Sequence, residues 1–327
     1  MILSFIFNSQ EKGFFIMDFL LQLVLLVVGF AMLIKGADWF VEGAAGIARK
    51  FGIPQLVVGL TIVAMGTSAP EAAVSITAAL KGNAGISIGN VVGSNIMNVF
   101  VILGVTAAII AIAIQESTIK YEIPYLIFIS VAFLAMGYTG GSISRLEGVI
   151  LWAFFIIYLV YLFRLTKKGS DSEEEEENRS PLFLLLSGVV GAIIIVWGSN
   201  ITVDSATAIA EMIELSESFI GLTIVAPGTS LPELVTSVTA AKKGNADIAI
   251  GNIVGSNIFN ILFVIGTTAL IIPVPFAANF LIDSAIAIFA AILLWICVLK
   301  TKKLTRMGGI IMLLCYGAYF VYLLMQS

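Results

Sequence analysis

The sequence has no histidine, only two cysteines, and charged residues at just 12% of its 327 positions. A soluble protein of this size carries about twice that share of charge, so the composition excludes an ordinary water-soluble domain. The basic residues form no patch, which excludes nucleic acid as a partner. Cys297 and Cys315 lie in late apolar segments and are predicted to be inert, membrane-buried thiols. The first residues lack the basic region and cleavage site of a signal peptide, so none is predicted.

What the sequence does contain is apolar: 59% of the residues are hydrophobic and the mean hydropathy is +1.07. Apolar runs of roughly 20 residues recur along the chain, each long enough to cross a bilayer as a helix. The predicted fold is an all-α polytopic membrane protein with ten transmembrane helices. Their predicted ranges are 18–48, 53–81, 84–112, 121–138, 144–166, 181–210, 215–243, 246–272, 277–299 and 304–325.

One stretch of the chain occurs twice. Residues 59–104 and 221–266 align without a gap at an offset of 162 residues, and 30 of the 46 positions are identical. We therefore divide the chain into an N-terminal five-span unit (1–168), an acidic linker (169–180) and a C-terminal five-span unit (181–327). An odd number of spans per unit turns the second unit upside down in the membrane, which predicts two inverted repeats. The linker run from Glu173 to Glu177 is interpreted as a disordered charged loop, with a regulatory calcium site as the alternative.

The distribution of basic residues predicts the orientation. If the N-terminus is outside, only Lys12, Lys81 and Arg145 of the 17 Lys and Arg residues lie outside, while Lys35 is near a span end. The other thirteen then lie on the cytoplasmic side, where membrane proteins concentrate positive charge. The prediction is a multi-pass protein of the cell membrane, with both termini outside and a cytoplasmic linker.

The duplicated stretch contains a helix breaker followed by an acid. Pro70 has no N–H and clashes with the carbonyl four residues earlier, so the helix is predicted to break there. The carbonyls around Ala64, Gly66 and Thr67 are expected to lose their helical partners, which lipid tolerates only where another group satisfies them. Glu71 falls in the first turn of the next helix, where the helix dipole favours a carboxylate. The second copy repeats this arrangement with Thr229, Pro232 and Glu233.

The following span in each copy carries a polar stripe with a step of four residues. The stripes are Asn90, Ser94 and Asn98 in the first copy and Asn252, Ser256 and Asn260 in the second. For Asn90 and Asn252 two interpretations remain open: they hold packed helices together, or they bind an ion.

The two glutamates have no Lys, Arg or His in either motif to neutralise them, so we interpret them as cation ligands. Ligand sets made only of oxygen suit Ca²⁺ and Na⁺, whereas soft metals require sulfur or imidazole. Two carboxylates balance one Ca²⁺. An empty site would leave both charges unscreened at a cost of several kcal/mol, so we expect a carrier that does not switch sides empty.

The paired G-T-S-x-P-E segments, each followed by G-N-x-x-G-S-N-x-x-N, resemble the α-repeats of the cation/calcium antiporter superfamily, and most closely its prokaryotic sodium/calcium exchangers. The resemblance extends to GADWFVEGAAGIA in the first span and to the ten-span plan. Proton/calcium relatives tend to carry Asn at the places of Thr67 and Thr229, which favours sodium here. Potassium-coupled relatives tend to carry Asp at the place of Asn260.

The resemblance also implies roles for individual residues. Glu71 and Glu233 would bind calcium and help bind sodium. The backbone carbonyls of Thr67 and Thr229 would complete the calcium shell. The remaining site residues would form a sodium site in each half and close its centre: Ala64, Ser68, Ser94, Ala226, Ser230, Ser256, Asn98 and Asn260.

The expected function is therefore sodium/calcium antiport by alternating access, with calcium extruded. We expect no enzymatic activity, no cofactor and no obligate protein partner besides the lipid bilayer. Proton/calcium antiport and a passive cation channel remain alternatives. An anion-binding symporter is disfavoured because Glu71 and Glu233 occupy the half-helix N-termini.

Overall fold

The computed structural model describes residues 2–168, 179–213 and 226–326. Apart from four two-residue strands, every regular element in these ranges is a helix, because only a helix or a closed barrel satisfies its backbone inside lipid. The first-half helices are α1 (Ile2–Phe51), α2 (Gln55–Thr67), α3 (Ala69–Leu80), α4 (Gly85–Ile109), α5 (Thr118–Gly140) and α6 (Arg145–Lys168). The second-half helices are α7 (Pro181–Met212), α8 (Ala226–Gly228), α9 (Leu231–Lys242), α10 (Ala246–Ile271), α11 (Ala278–Leu299) and α12 (Arg306–Gln326).

Among the described residues, eight helices are long and apolar enough to cross a membrane, and the bent pair α2–α3 brings the number to nine. A helical, multi-pass membrane protein is thereby confirmed. The predicted span 215–243 begins in residues outside the described ranges, as does the acidic run Glu173 to Glu177.

The centre of the molecule is formed by α10 and α4, which carry the polar stripes. The most apolar window of α10 is 94% buried and that of α4 is 67% buried, against 33% or less for the other long helices. Peripheral helices therefore present their apolar side chains to lipid, as their sequences require.

Helices α1 and α7 pack along one another at the periphery through glycines. A Cβ atom on Gly36 would lie 2.9 Å from the carbonyl oxygen of Gly191, and one on Gly191 would lie 2.5 Å from the backbone nitrogen of Phe40. Both neighbours are backbone atoms that cannot move aside, so only glycine permits this close approach.

Two short antiparallel strand pairs link the halves at the helix ends. Strand β1 (Ile112–Ala113) pairs with β4 (Lys303–Leu304), and β2 (Ser142–Ile143) pairs with β3 (Val274–Pro275). Each pair joins a loop of one half to a loop of the other. The strands were not predicted, because two residues are too few to show a sequence pattern.

Candidate functional site

Both duplicated motifs break their helix where the prolines predict. α2 and α3 meet at Ser68 with a bend of 50°, and Pro70 lies in the first turn of α3. In the second copy Ser230 has almost the same backbone angles (φ −92°, ψ 4°, against −85° and 9°) before α9 begins. Glu71 and Glu233 accordingly lie in the first turns of α3 and α9, at the positive end of each helix dipole.

One local expectation is wrong. The Ala64 carbonyl keeps its helical donor, the Ser68 N–H at 3.0 Å, and also accepts hydrogen bonds from the Thr67 hydroxyl at 3.3 Å and the Ser256 hydroxyl at 3.4 Å. Helical hydrogen bonding resumes within one residue of the break. The missing N–H of Pro70 therefore deprives the carbonyl four residues earlier, that of Gly66, of its donor, and not that of Ala64.

The two acids are buried together without a cationic partner. Glu71 and Glu233 are each 1% exposed and lie close enough for their charges to interact, and Thr229 lies beside Glu71. Among the described residues, no Lys or Arg forms an ion pair with either acid. Two buried carboxylates in this arrangement carry an electrostatic cost of several kcal/mol until a cation or proton neutralises them.

The carboxylates differ in their contacts. Ser68 donates to Glu233 Oε1 at 2.8 Å, while Glu233 Oε2 has no hydrogen-bond partner. Among the described residues, none makes a hydrogen bond of normal geometry to either oxygen of Glu71, although Thr229 lies beside this carboxyl and interacts with it. Three of the four carboxylate oxygens are therefore available as ligands.

The asparagines that begin each polar stripe anchor the acid-bearing helices. Asn90 Nδ2 donates to the Glu71 carbonyl at 3.1 Å and to Ser75 Oγ at 2.9 Å. Asn252 does the same in the second copy, with 3.4 Å to the Glu233 carbonyl and 2.9 Å to the Ser237 hydroxyl. These contacts support the helix-joining interpretation of both asparagines.

A second set of asparagines crosses between the copies. Asn95 Nδ2 donates to the Asn257 carbonyl at 3.2 Å, and Asn257 Nδ2 returns the bond to the Asn95 carbonyl at 3.1 Å. Asn98 Nδ2 donates to Asn257 Oδ1 at 2.9 Å, and Asn260 Nδ2 donates to Asn95 Oδ1 at 3.2 Å. The bonds form two pairs related by the 162-residue offset, so this quartet joins the two copies of the duplicated stretch.

Asn95 and Asn257 were not among the residues predicted from the sequence. The available signal is the identity of G-S-N-x-x-N in the two copies, in which the first asparagine is as constant as the second. A helical step of three residues puts the two asparagines of each copy on one face of their helix, so both can reach the asparagines of the other copy.

Two side-chain amide oxygens of the quartet take no part in these hydrogen bonds. The side-chain nitrogens of Asn98 and Asn260 donate hydrogen bonds. Their Oδ1 atoms and the hydroxyl of Ser230 are buried and accept or donate no hydrogen bond within the described ranges. At both asparagines the helix widens into a π segment, Asn98–Leu103 in α4 and Asn260–Ile265 in α10, and such segments often occur at functional sites.

The predicted residues are placed as follows. The Thr67 hydroxyl shares its single proton between the Ala64 carbonyl and Asn252 Oδ1, the latter 3.0 Å away, and Ser94 accepts from Asn260 at 3.1 Å, so both join the central network. Thr229 lies beside Glu71, and Ala226 begins the short helix α8 before the second break. The described residues contain no group of three or more His, Cys, Asp and Glu that could hold a metal, so the only anionic ligands available in this centre are the two carboxylates.

Comparison with known proteins places this geometry in a family. The profile of the family described as sodium/calcium exchanger protein matches residues 21–164 and 183–325. The chain is 34% identical to the inner membrane protein YrbG of Escherichia coli K12, covering 94% of this chain and 97% of that one. It is 32% identical to the sodium/calcium exchanger MaX1 of Methanosarcina acetivorans, covering 92% and 97%.

The fold is also similar to that of a solved exchanger. A structure of the sodium-calcium exchanger NCX_Mj, soaked with zero Na⁺ and Ca²⁺, superposes with a TM-score of 0.82 at 34% identity, covering 93% of this chain and 99% of that one. Profile, relatives and structure agree over nearly the whole length, and the chain belongs to the sodium/calcium exchanger protein family.

Proposed function

We propose that this protein is a sodium/calcium antiporter that works by alternating access and extrudes calcium from the cell. The observation that carries the proposal is the buried, unpaired couple Glu71 and Glu233, one acid from each repeat. One Ca²⁺ neutralises both charges, and Na⁺ ions entering the same oxygen-rich centre relieve the same penalty on the return stroke. The same electrostatic penalty opposes a change of access state while the site is empty, and this couples the two ion fluxes.

The proposed ligand set keeps the two carboxylates at the centre. Calcium would bind Glu71 and Glu233 together with the backbone carbonyls of Thr67 and Thr229. The partnerless amide oxygens of Asn98 and Asn260 support their assignment to the middle of the cluster. The flanking sodium sites would use the remaining predicted residues, namely Ala64, Ser68 and Ser94 in one half and Ala226, Ser230 and Ser256 in the other. Sodium at Ala64 requires the Thr67 and Ser256 hydroxyls to turn away from its carbonyl.

We further propose ten spans arranged as two inverted repeats. The strand pair β2–β3 puts residues 142–143 and 274–275 on the same membrane face, so an even number of crossings must separate them. Three full-length helices, α6, α7 and α10, lie between. This parity supports the proposal that the predicted span 215–243, which ends in α9, is the fourth crossing. The pair β1–β4 leads to the same conclusion: five full-length helices lie between its strands, so one further crossing is needed to make the number even.

The orientation proposal rests on which side carries the basic residues. The β1–β4 pair, the Gln115–Asp247 hydrogen bond of 2.7 Å and the Lys302–Glu116 ion pair all lie on one face. Positive charge favours that face as cytoplasmic, with both termini outside.

Counter-ion flux in proteoliposomes tests the function. Calcium uptake should follow an outward sodium gradient at clamped pH, and Glu71→Gln and Glu233→Gln should each abolish it, while Glu173→Gln in the linker retains it. Uptake that ignores sodium but follows a pH gradient would instead identify a proton/calcium antiporter. Uptake without any counter-ion gradient would identify a channel.

A further inference from the structure

The second helix break contains a carbonyl that its own helix cannot satisfy. Pro232 has no N–H, so the carbonyl of Gly228, four residues earlier, receives no helical hydrogen bond. The hydroxyl of Ser199, on α7, donates to this carbonyl at 2.9 Å, and Ser199 is only 5% exposed. A donor from outside the duplicated stretch therefore satisfies the oxygen that the proline leaves without a helical partner.

Helix α7 also packs closely on Gly228 at the same point. A Cβ atom on Gly228 would lie 2.2 Å from Cγ2 of Val203, which follows Ser199 by one helical turn on the same face of α7. Gly228 itself is buried. The hydrogen bond and this packing contact together fix the backbone of Gly228 against α7.

The first copy lacks this connection. At the 162-residue offset Ser199 corresponds to Ala37, whose side chain has no donor. Gly228 corresponds to Gly66, and the nearest atom to a Cβ added there is the end of the Phe40 ring, 3.1 Å away. The duplicated motif therefore does not itself require the serine, which is a feature of the second half alone.

The two breaks also differ in their backbone hydrogen bonds. The Ser68 N–H donates to the Ala64 carbonyl, four residues earlier, at 3.0 Å. The Ser230 N–H donates instead to the Pro227 carbonyl, three residues earlier, at 3.1 Å. The second break is the tighter turn, and it is the one to which α7 donates a hydrogen bond.

The position of the Gly228 carbonyl affects the ion centre because peptide units are planar. This carbonyl and the N–H of Thr229 belong to one rigid unit. The Thr229 carbonyl, the proposed calcium ligand, belongs to the next unit, and the buried hydroxyl of Ser230 follows it. Once the first unit is fixed, only the two backbone dihedrals of Thr229 set the direction of its carbonyl.

We propose that Ser199 is a positioning residue of the second-half ion site. Its hydrogen bond to Gly228 fixes the turn that presents the Thr229 carbonyl and the Ser230 hydroxyl to the cation. A ligand that is held in place before the ion arrives loses less conformational freedom on binding, so this bond raises the affinity for the ion. The inference rests on the proposed function, because it concerns ion binding at the same centre.

Isothermal titration of the purified full-length protein with calcium, in a sodium-free buffer, tests the proposal. Ser199→Ala should raise the Kd for calcium about threefold to tenfold, the factor that corresponds to one lost hydrogen bond. Ser199→Cys keeps a weaker donor of similar size, so its Kd should lie between those of Ser199→Ala and the wild type. It carries the test if Ser199→Ala does not fold.

Ser187→Ala is the matched control. Ser187 is another serine of α7, and its hydroxyl donates to a carbonyl of α1, that of Trp39, at 3.1 Å. Its removal deletes a hydrogen bond of the same kind without touching the turn after Gly228. The Kd for calcium should stay at the wild-type value.

Calcium uptake by proteoliposomes separates positioning from a purely structural role. Ser199→Ala should raise the KM for calcium by the same factor as the Kd and change the maximal rate little, whereas a purely structural bond would lower the Tm and leave Kd and KM unchanged. A folded Ser199→Ala protein with the wild-type Kd, or a Ser187→Ala protein that is weakened as much, would overturn this inference alone. A wild-type protein that neither binds nor transports calcium would overturn the proposed function and the inference together.

Discussion

Replacing Glu71 with glutamine should have opposite effects on stability in the absence and in the presence of calcium. Among the described residues, none makes a hydrogen bond of normal geometry to this buried carboxylate; Thr229 lies beside it, and the charge of Glu233 is close by. The ion-free protein therefore contains a carboxylate whose burial is uncompensated. Glutamine keeps the shape of the side chain and removes the charge.

The magnitude follows from the two burial penalties. A buried, unpaired carboxylate costs several kcal/mol, whereas a buried amide without a partner costs about 1–3 kcal/mol. Glu71→Gln should therefore stabilise the ion-free protein by about 2 kcal/mol, which corresponds to about 3 °C in Tm for a chain of this size. Calcium at 100 times its Kd should stabilise the wild type by about 2.7 kcal/mol and leave the variant unchanged.

Thermal unfolding followed by tryptophan fluorescence measures both effects. The ion-free condition uses a chelator and an organic-cation buffer without sodium at pH 8, and calcium is then added. Glu211→Gln is the matched control, because Glu211 is an exposed acid of α7 and its neutralisation relieves no buried charge. The order of Tm should reverse on adding calcium for Glu71→Gln only. A Glu71→Gln protein that is less stable than the wild type without ions, or that is still stabilised by calcium, would refute the reasoning.

Two further predictions concern the frame around the site. Asn257→Ala removes the hydrogen-bond partners of the Asn98 side-chain nitrogen and the Asn95 carbonyl. It should therefore lower the free energy of unfolding, measured by denaturant titration, by about 2–4 kcal/mol. A change below about 0.5 kcal/mol would contradict a structural role for the quartet. For topology, single cysteines at Lys81 and Lys302, in a background without Cys297 and Cys315, should react with an impermeant thiol reagent from outside and from the cytoplasm respectively, and labelling of both from one side would contradict the inverted arrangement.

The sequence was informative wherever chemistry is local. Pro70 and Pro232 predict the two helix breaks because a missing N–H and a ring clash act within four residues. The same holds for the first-turn positions of Glu71 and Glu233. The exact repetition of the stripes likewise predicted that both copies contribute equivalent side chains, and the crossed asparagine bonds repeat at the same offset.

The sequence was misleading or silent where partners come from distant elements. The Ala64 carbonyl was expected to lose its helical partner; it keeps the Ser68 N–H, and the Ser256 hydroxyl, 192 residues away, also donates to it. The roles of Asn95 and Asn257 depend on contacts between copies 162 residues apart, which no local pattern reveals.

By itself, the sequence determined that the chain is apolar enough to fold in a bilayer, that one stretch is duplicated, and that each copy carries one acid in a broken helix. These features depend on composition, on the sequence identity between the copies and on proline geometry, all of which are properties of short segments. Only the tertiary structure decided that α10 packs against α2, where a Cβ on Gly255 would lie 2.7 Å from the Leu60 carbonyl, and that this brings the two acids together. An acid within an apolar segment can be recognised from the local sequence. The atoms that surround it, however, are determined by packing between segments far apart in the chain.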